Sequence, residues 1–186
     1  FDPDRIWSAI ARCRNRGAGA QAVAAVDIAL HDLAGKATGQ PVWRLLGAEA
    51  GNPVKCNATV PAANPAQLRA LAERWAEAGF DTFKLKAGLA GDVAQVATVR
   101  EVVGPQARLR VDANAAWSVG VAIERLGAMA RYSLELAEQP VGGLEQMAEV
   151  RRASRVRIAA DEDIVTRRDA RRAYELRACE LANVKL

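Results

Sequence analysis

Apolar, strand-like segments recur along this chain about once every 25 residues. They are VKCNAT at 54–59, TFKLK at 82–86, RLRVD at 108–112, LELAE at 134–138, VRIAAD at 156–161 and LANVKL at 181–186. Five of them carry a charged residue at or next to their end, Lys86, Asp112, Glu138, Asp161 and Lys185, which stand 26, 26, 23 and 24 residues apart. That interval holds one strand, one helix and two short loops. Few architectures repeat such a unit.

The intervals carry helical periodicity. Leu68, Leu71, Ala72 and Trp75 form one stripe, closed by Gly79, and Val93, Val96, Val99 and Val103 form another, closed by Gly104-Pro105. Leu144, Met147 and Val150 form a third, and Ala170, Ala173 and Tyr174 a weaker fourth. Strands alternating with helices demand right-handed crossovers and a parallel sheet. The expected fold is therefore α/β, a partial (β/α) barrel of the TIM type with about six strands present. No GxGxxG or GxxxxGK[ST] follows any strand, which argues against a nucleotide-binding sheet. Residues 51–186 are assigned to the barrel. Residues 1–50 read as a helical lead-in, with a stripe of Val23, Val26, Ala29, Leu30 and Leu33 that Gly39 and Pro41 terminate.

Composition excludes several functions. The chain has 186 residues and a net charge of +4. Acids interrupt its densest basic region, Arg151 to Arg172, and no aromatic platform accompanies it, so nucleic-acid binding is not expected. No apolar run is long enough to cross a membrane and the opening residues do not read as a signal peptide. Cys13, Cys56 and Cys179 are widely separated, which suits a reducing cytoplasm and no disulfide framework. His31 is the single histidine and sits in an apolar helical pattern, so a structural or surface role is expected for it rather than a catalytic one.

In a parallel barrel, chemistry sits at the C-terminal ends of the strands. Three successive strands here end in carboxylates, Asp112, Glu138 and Asp161. An all-oxygen, acidic donor set suits Mg²⁺, whereas zinc would want histidine or cysteine. Lys86 and Lys185 end strands on either side and are placed as acid/base groups on opposite faces of one substrate carbon. Lys84 shares a face with Lys86 by the two-residue repeat of a strand, and a neighbouring cation disfavours the ammonium form. The combination suits removal of a proton next to a carboxylate, with a divalent ion holding the resulting enediolate.

These stretches resemble the enolase superfamily, in its muconate lactonizing enzyme subgroup. FKLKAG resembles the family's Lys-x-Lys strand, RVDANAAW its Asp-x-Asn and LAEQPV its Glu-Gln-Pro. IAADED resembles its Ala-Asp-Glu-Ser, NVKL its sixth-strand lysine, and AVDIALHDLAGKATGQPVWRLLGA its approach to the barrel. The resemblance implies that Lys86 is the base, Lys84 its electrostatic partner, and Lys185 the opposite-face acid/base or enolate-stabilising cation. It implies that Asp112, Glu138 and Asp161 bind Mg²⁺, with Asn114 and Gln139 supporting them. It also implies a small carboxylate substrate and a homo-oligomeric full-length protein.

Two residues depart from the family pattern. Asp163 stands where a serine is usual, putting an extra charge near the metal, and Ala116-Trp117 stands where Gly-Trp is usual. Family members are about twice as long, with an N-terminal capping domain and two further βα units. The resemblance thus implies a fragment that lacks both, and an inactive barrel fragment is the rival reading. Among the reactions of the subgroup, KCNATVPAANPAQL, ELAEQPV and ACELANVKL look most like o-succinylbenzoate synthase of menaquinone biosynthesis. The alternatives are dipeptide epimerase, N-acylamino acid racemase and muconate cycloisomerase.

Overall fold

The computed structural model describes residues 3–51 and 53–184. The chain forms two compact units, one running to Lys55 and the other from Cys56. Lys185 lies outside the described residues.

The first unit is helical: α1 (Pro3–Asn15), α2 (Ala20–Thr38) and the short α3 (Val42–Leu45). Its core is Ile6 and Ile10 of α1 against Val23 and Ala34 of α2. The stripe expected on α2 is rotated. Val23 is buried, but Val26, Ala29 and Leu33 are exposed, and His31 and Ala34 take their place. The physical reason is that α2 is apolar over much of its circumference, so its own pattern does not select a face. Packing against α1 does. Of the two roles expected for His31, its burial selects the structural one, with Nδ1 2.7 Å from Asp27 Oδ1 and its ring edge-on to Trp7.

The second unit alternates strands and helices: β1 (Ala58–Val60), α4 (Pro65–Glu77), β2 (Thr82–Lys86), α5 (Asp92–Val103), β3 (Arg108–Asp112) and α6 (Val119–Met129). There follow β4 (Leu134–Glu138), α7 (Leu144–Ala153), β5 (Ile158–Ala160), α8 (Arg167–Leu176) and β6 (Leu181–Ala182). The six strands form one parallel sheet in sequential order. Sequential parallel order with a helix in every crossover is the wall of a TIM-type barrel.

The elements follow from local signals. Asn64 caps α4 ahead of Pro65, Ser118 caps α6, and Thr166 with Asp169 forms a capping box on α8. No stripe announced α6, because Gly120 and Gly127 interrupt its apolar pattern, yet Ala122, Leu126 and Met129 bury on the sheet. β1 starts later than expected, since Val54 to Asn57 stay outside the ladder, and β5 and β6 are shorter than their apolar runs. Tyr174 leaves its expected stripe and is 85% exposed, while Ala173 packs inward.

Strand alternation sorts the sheet into two faces. Phe83, Leu85, Leu109, Val111 and Ile158 are almost fully buried and join the helices' core. Lys84, Lys86 and Asp112 take the other parity, where the charged groups collect. A register shift at Leu109/Arg110 brings Glu135 onto Arg110, with Nε 2.5 Å from Oε2. Arg100 locks the far end of the same layer, donating to the carbonyls of Tyr132, Ser133, Gly104 and Ala107 at 2.7–3.3 Å.

Candidate active site

Parallel register sets the site. Lys86 pairs with Asp112, and Asp112 with Glu138, so three strands end at one level. Lys86 Nζ donates to Asp112 Oδ2 at 2.6 Å and to Asn114 Oδ1 at 2.7 Å. Lys84 Nζ lies 2.7 Å from Glu138 Oε1 and 2.9 Å from the same Asp112 oxygen. The two ammonium groups are therefore close neighbours. Asp112, Glu138 and Asp161 are all buried, whereas the Lys86 side chain remains 39% exposed. Of these groups, Lys86 is the one most open to solvent.

Burial and pairing divide the acids. Burial pushes the Asp112 carboxyl up, but hydrogen bonds from Lys86, Lys84 and the Asn114 N–H outweigh it and hold the group below its ordinary 3.8. Glu138 goes the other way. Burial and the nearby charges of Asp112 and Asp161 raise it above 4.5 against the opposing pull of Lys84. Burial alone would lower the Lys84 ammonium, yet its bonds to Glu138 and Asp112 raise it above 10.5. Lys84 thus stays charged beside Lys86.

Gln139 organises the next strand end. It is fully buried with a left-handed φ of 36°, a conformation held because its side chain is saturated. Oε1 accepts the Asp161 N–H at 2.8 Å, and Nε2 donates to Val141 O and to Asp163 Oδ2. Asp163 also accepts the Gly143 N–H at 2.7 Å. It thereby anchors Gln139 and the loop before α7. Asn114 has φ 43°, and its Nδ2 donates to Glu162 Oε1 at 2.7 Å, which turns its carbonyl toward Lys86.

Two groups escaped the sequence reading. Glu162 reaches Asn114 across 48 positions, a pairing no local pattern encodes. Asp92 stands in the first turn of α5 and carried no role in the sequence reading. It is instead a buried junction that accepts from Gly88 N–H, Leu89 N–H, Trp117 Nε1 and Arg125 Nη1. An Asp after a glycine, with an arginine and a tryptophan elsewhere in the chain, is the faint signal it left.

The donor chemistry suits a hard divalent cation. Three buried carboxylates at successive strand ends are costly, as the Glu138 carboxyl raised by burial and then by the nearby Asp112 and Asp161 charges indicates, and an ion on oxygen ligands offsets that cost. As they stand, Lys84 bridges Asp112 and Glu138, and no three acidic, histidine or cysteine side chains converge as a metal cluster among the described residues.

Residues 67–186 match the enolase C-terminal domain-like family, and residues 2–47 match the mandelate racemase / muconate lactonizing enzyme N-terminal domain.

The chain belongs to the enolase superfamily.

Among curated superfamily relatives, a D-Ala-D/L-Ala epimerase of Cytophaga hutchinsonii is 34% identical over 87% of this chain and 45% of its own length. An o-succinylbenzoate synthase of Thermobifida fusca is 38% identical over 72% of this chain and 43% of its own. The crystal structure of a Cytophaga hutchinsonii dipeptide epimerase, complexed with Mg and D-Ala-L-Val, superposes with a TM-score of 0.73. It is 33% identical and covers 84% of this chain and 44% of that one. The chain spans about half the length of the curated enolase-superfamily relatives it matches. Among the described residues, no helix is long and apolar enough to cross a membrane.

Proposed function

We propose that the protein removes a proton from the carbon next to a carboxylate, with Lys86 as the base. The observation that carries this reading is the convergence of Lys86, Asp112 and Asn114 at the ends of adjacent parallel strands. Asp112, Glu138 and Asp161 are the residues to hold Mg²⁺, whose charge, when bound, stabilises a substrate carboxylate as it gains electron density. Lys86 takes the proton. Lys84, kept charged by Glu138 and Asp112, disfavours a second ammonium beside it. Asn114 orients the Lys86 amine, and Gln139 and Asp163 support the Asp161 segment. Lys185 serves the opposite face.

Epimerisation of a dipeptide is the reading the relatives favour, since several that align over 87–89% of this chain carry dipeptide epimerase names. Proton return by Lys185 on the far face completes it. Dehydration to o-succinylbenzoate is the second reading, supported by the Thermobifida fusca relative and by the motifs of the first and sixth strands. Both share the first proton transfer. The test is incubation with Mg²⁺ and L-Ala-L-Glu in D₂O, followed by proton NMR. Loss of an α-proton signal with appearance of the diastereomer supports epimerisation. The hydroxylated cyclohexadiene acid that dehydrates to o-succinylbenzoate tests the second reading. The absence of both exchange and dehydration would refute the proposal.

A further inference from the structure

Asp92 is a buried carboxylate for which the proton transfer above has no use. A carboxylate away from water is costly unless its acceptor sites are filled. Those of Asp92 are filled from three segments. Gly88 N–H (3.0 Å) and Leu89 N–H (3.2 Å) come from the loop after Lys86. Trp117 Nε1 (3.1 Å) comes from the loop after Asp112 and Asn114. Arg125 comes from α6, lies over the Trp117 ring at 5.6 Å, and donates to Leu89 O at 2.9 Å.

Of the two loops so joined, one leaves the strand end at Lys86 and the other carries Asn114. They touch nearer the site as well. Ala87 N–H bonds to Asp112 O at 2.8 Å. Gly88 has φ +110°, and a Cβ there would meet Ala116 Cβ at 2.8 Å, so only glycine allows this approach. The backbone N–H groups of Ala87, Gly88 and Leu89 are thus all committed, and the chain leaving Lys86 has no slack. A charge kept only to favour a helix N-terminus would not need an indole 25 positions away.

We propose that Asp92 is a positioning residue for Lys86: it clamps the loop after Lys86 to the loop bearing Asn114, through Trp117 and Arg125, and so fixes the Lys86–Asn114 contact. This deepens the proposed function, since it rests on Lys86 as the base. Its readout is chosen not to depend on turnover.

The experiment is competitive trace acetylation at one pH, with Lys86 measured by mass spectrometry relative to exposed Lys36. Wild type is compared with Asp92→Asn, Trp117→Phe, Asn114→Ala and Val150→Ala. Trp117→Phe keeps an aromatic ring and deletes one donor. Val150→Ala opens a cavity on α7, which supplies none of the Asp92 contacts, and controls for lost stability. The Lys86 ratio is expected to rise about fivefold in Asp92→Asn, Trp117→Phe and Asn114→Ala, as for loss of one ordinary hydrogen bond. It should stay at the wild-type value in Val150→Ala. An unchanged ratio in folded Trp117→Phe overturns the proposal, as does an equal rise in Val150→Ala. If Asp92→Asn does not fold, Trp117→Phe decides. If Lys86→Ala keeps full α-proton exchange, the base assignment falls, and the labelling still decides whether Asp92 positions Lys86.

Discussion

Lys86 and Asp112 are register partners at the ends of adjacent parallel strands, and their side chains meet at 2.6 Å. The partnership holds the amine beside the carboxylate cluster while leaving it accessible. Replacing Lys86 with alanine is expected to cut α-proton exchange by about 10²- to 10⁴-fold, the usual contribution of a positioned acid/base group. Thermal stabilisation by Mg²⁺ should survive. Undiminished exchange in D₂O by NMR would remove Lys86 from the base role.

Asp112→Asn, Glu138→Gln and Asp161→Asn each test the metal assignment. For wild type, Mg²⁺ at a hundredfold excess over its dissociation constant adds about 2.7 kcal/mol to stability. That corresponds to a rise of several degrees in melting temperature for a unit of this size. Each variant is expected to lose most of that increment, read as the difference between Mg²⁺ and EDTA scans. Comparing increments cancels any change in the baseline stability of the variant.

The shifted acids predict opposite pH dependences in EDTA. The folded-state pKa of Asp112 is depressed, so its contribution is present above 3.8 and is lost as pH falls through the folded value. Asp112→Asn should therefore cost less stability at pH 3 than at pH 7. Glu138 is raised, so its contribution is complete below 4.5 and is lost as pH rises through the folded value. Glu138→Gln should cost less at pH 7 than at pH 4. Urea unfolding at three pH values checks both signs.

Arg100 is expected to matter for stability alone. Burial lowers its pKa, and its guanidinium satisfies four carbonyls around the end of α5 and the turn before β4. Arg100→Met should destabilise by about 2–3 kcal/mol, the scale of charged hydrogen bonds lost with acceptors left behind. Arg100→Lys should recover little, because an ammonium cannot span the same fork. A urea midpoint within error of wild type would refute this.

The strands, and which of their residues share a face, were legible because both depend on short-range repeats. The two-residue alternation of TFKLK put Lys84 and Lys86 together, and the 26-residue interval put Asp112 and Glu138 at matching strand ends. The face of α2 was not legible, because an almost uniformly apolar helix contains no choice of direction. Nor was α6, because its glycines erased the stripe.

What the sequence determined by itself was the set of charged groups at the strand ends, since the chain's own periodicity dictates parity and spacing. Tertiary structure alone decided which charge meets which. Lys84 turns to Glu138, Asp163 to Gln139 and Gly143, Glu162 to Asn114, and Asp92 to a tryptophan and an arginine on other elements. Such pairings are fixed by register and by packing between segments up to 54 positions apart. A buried charge takes whichever partner the fold brings within reach, and neighbours along the chain do not specify it.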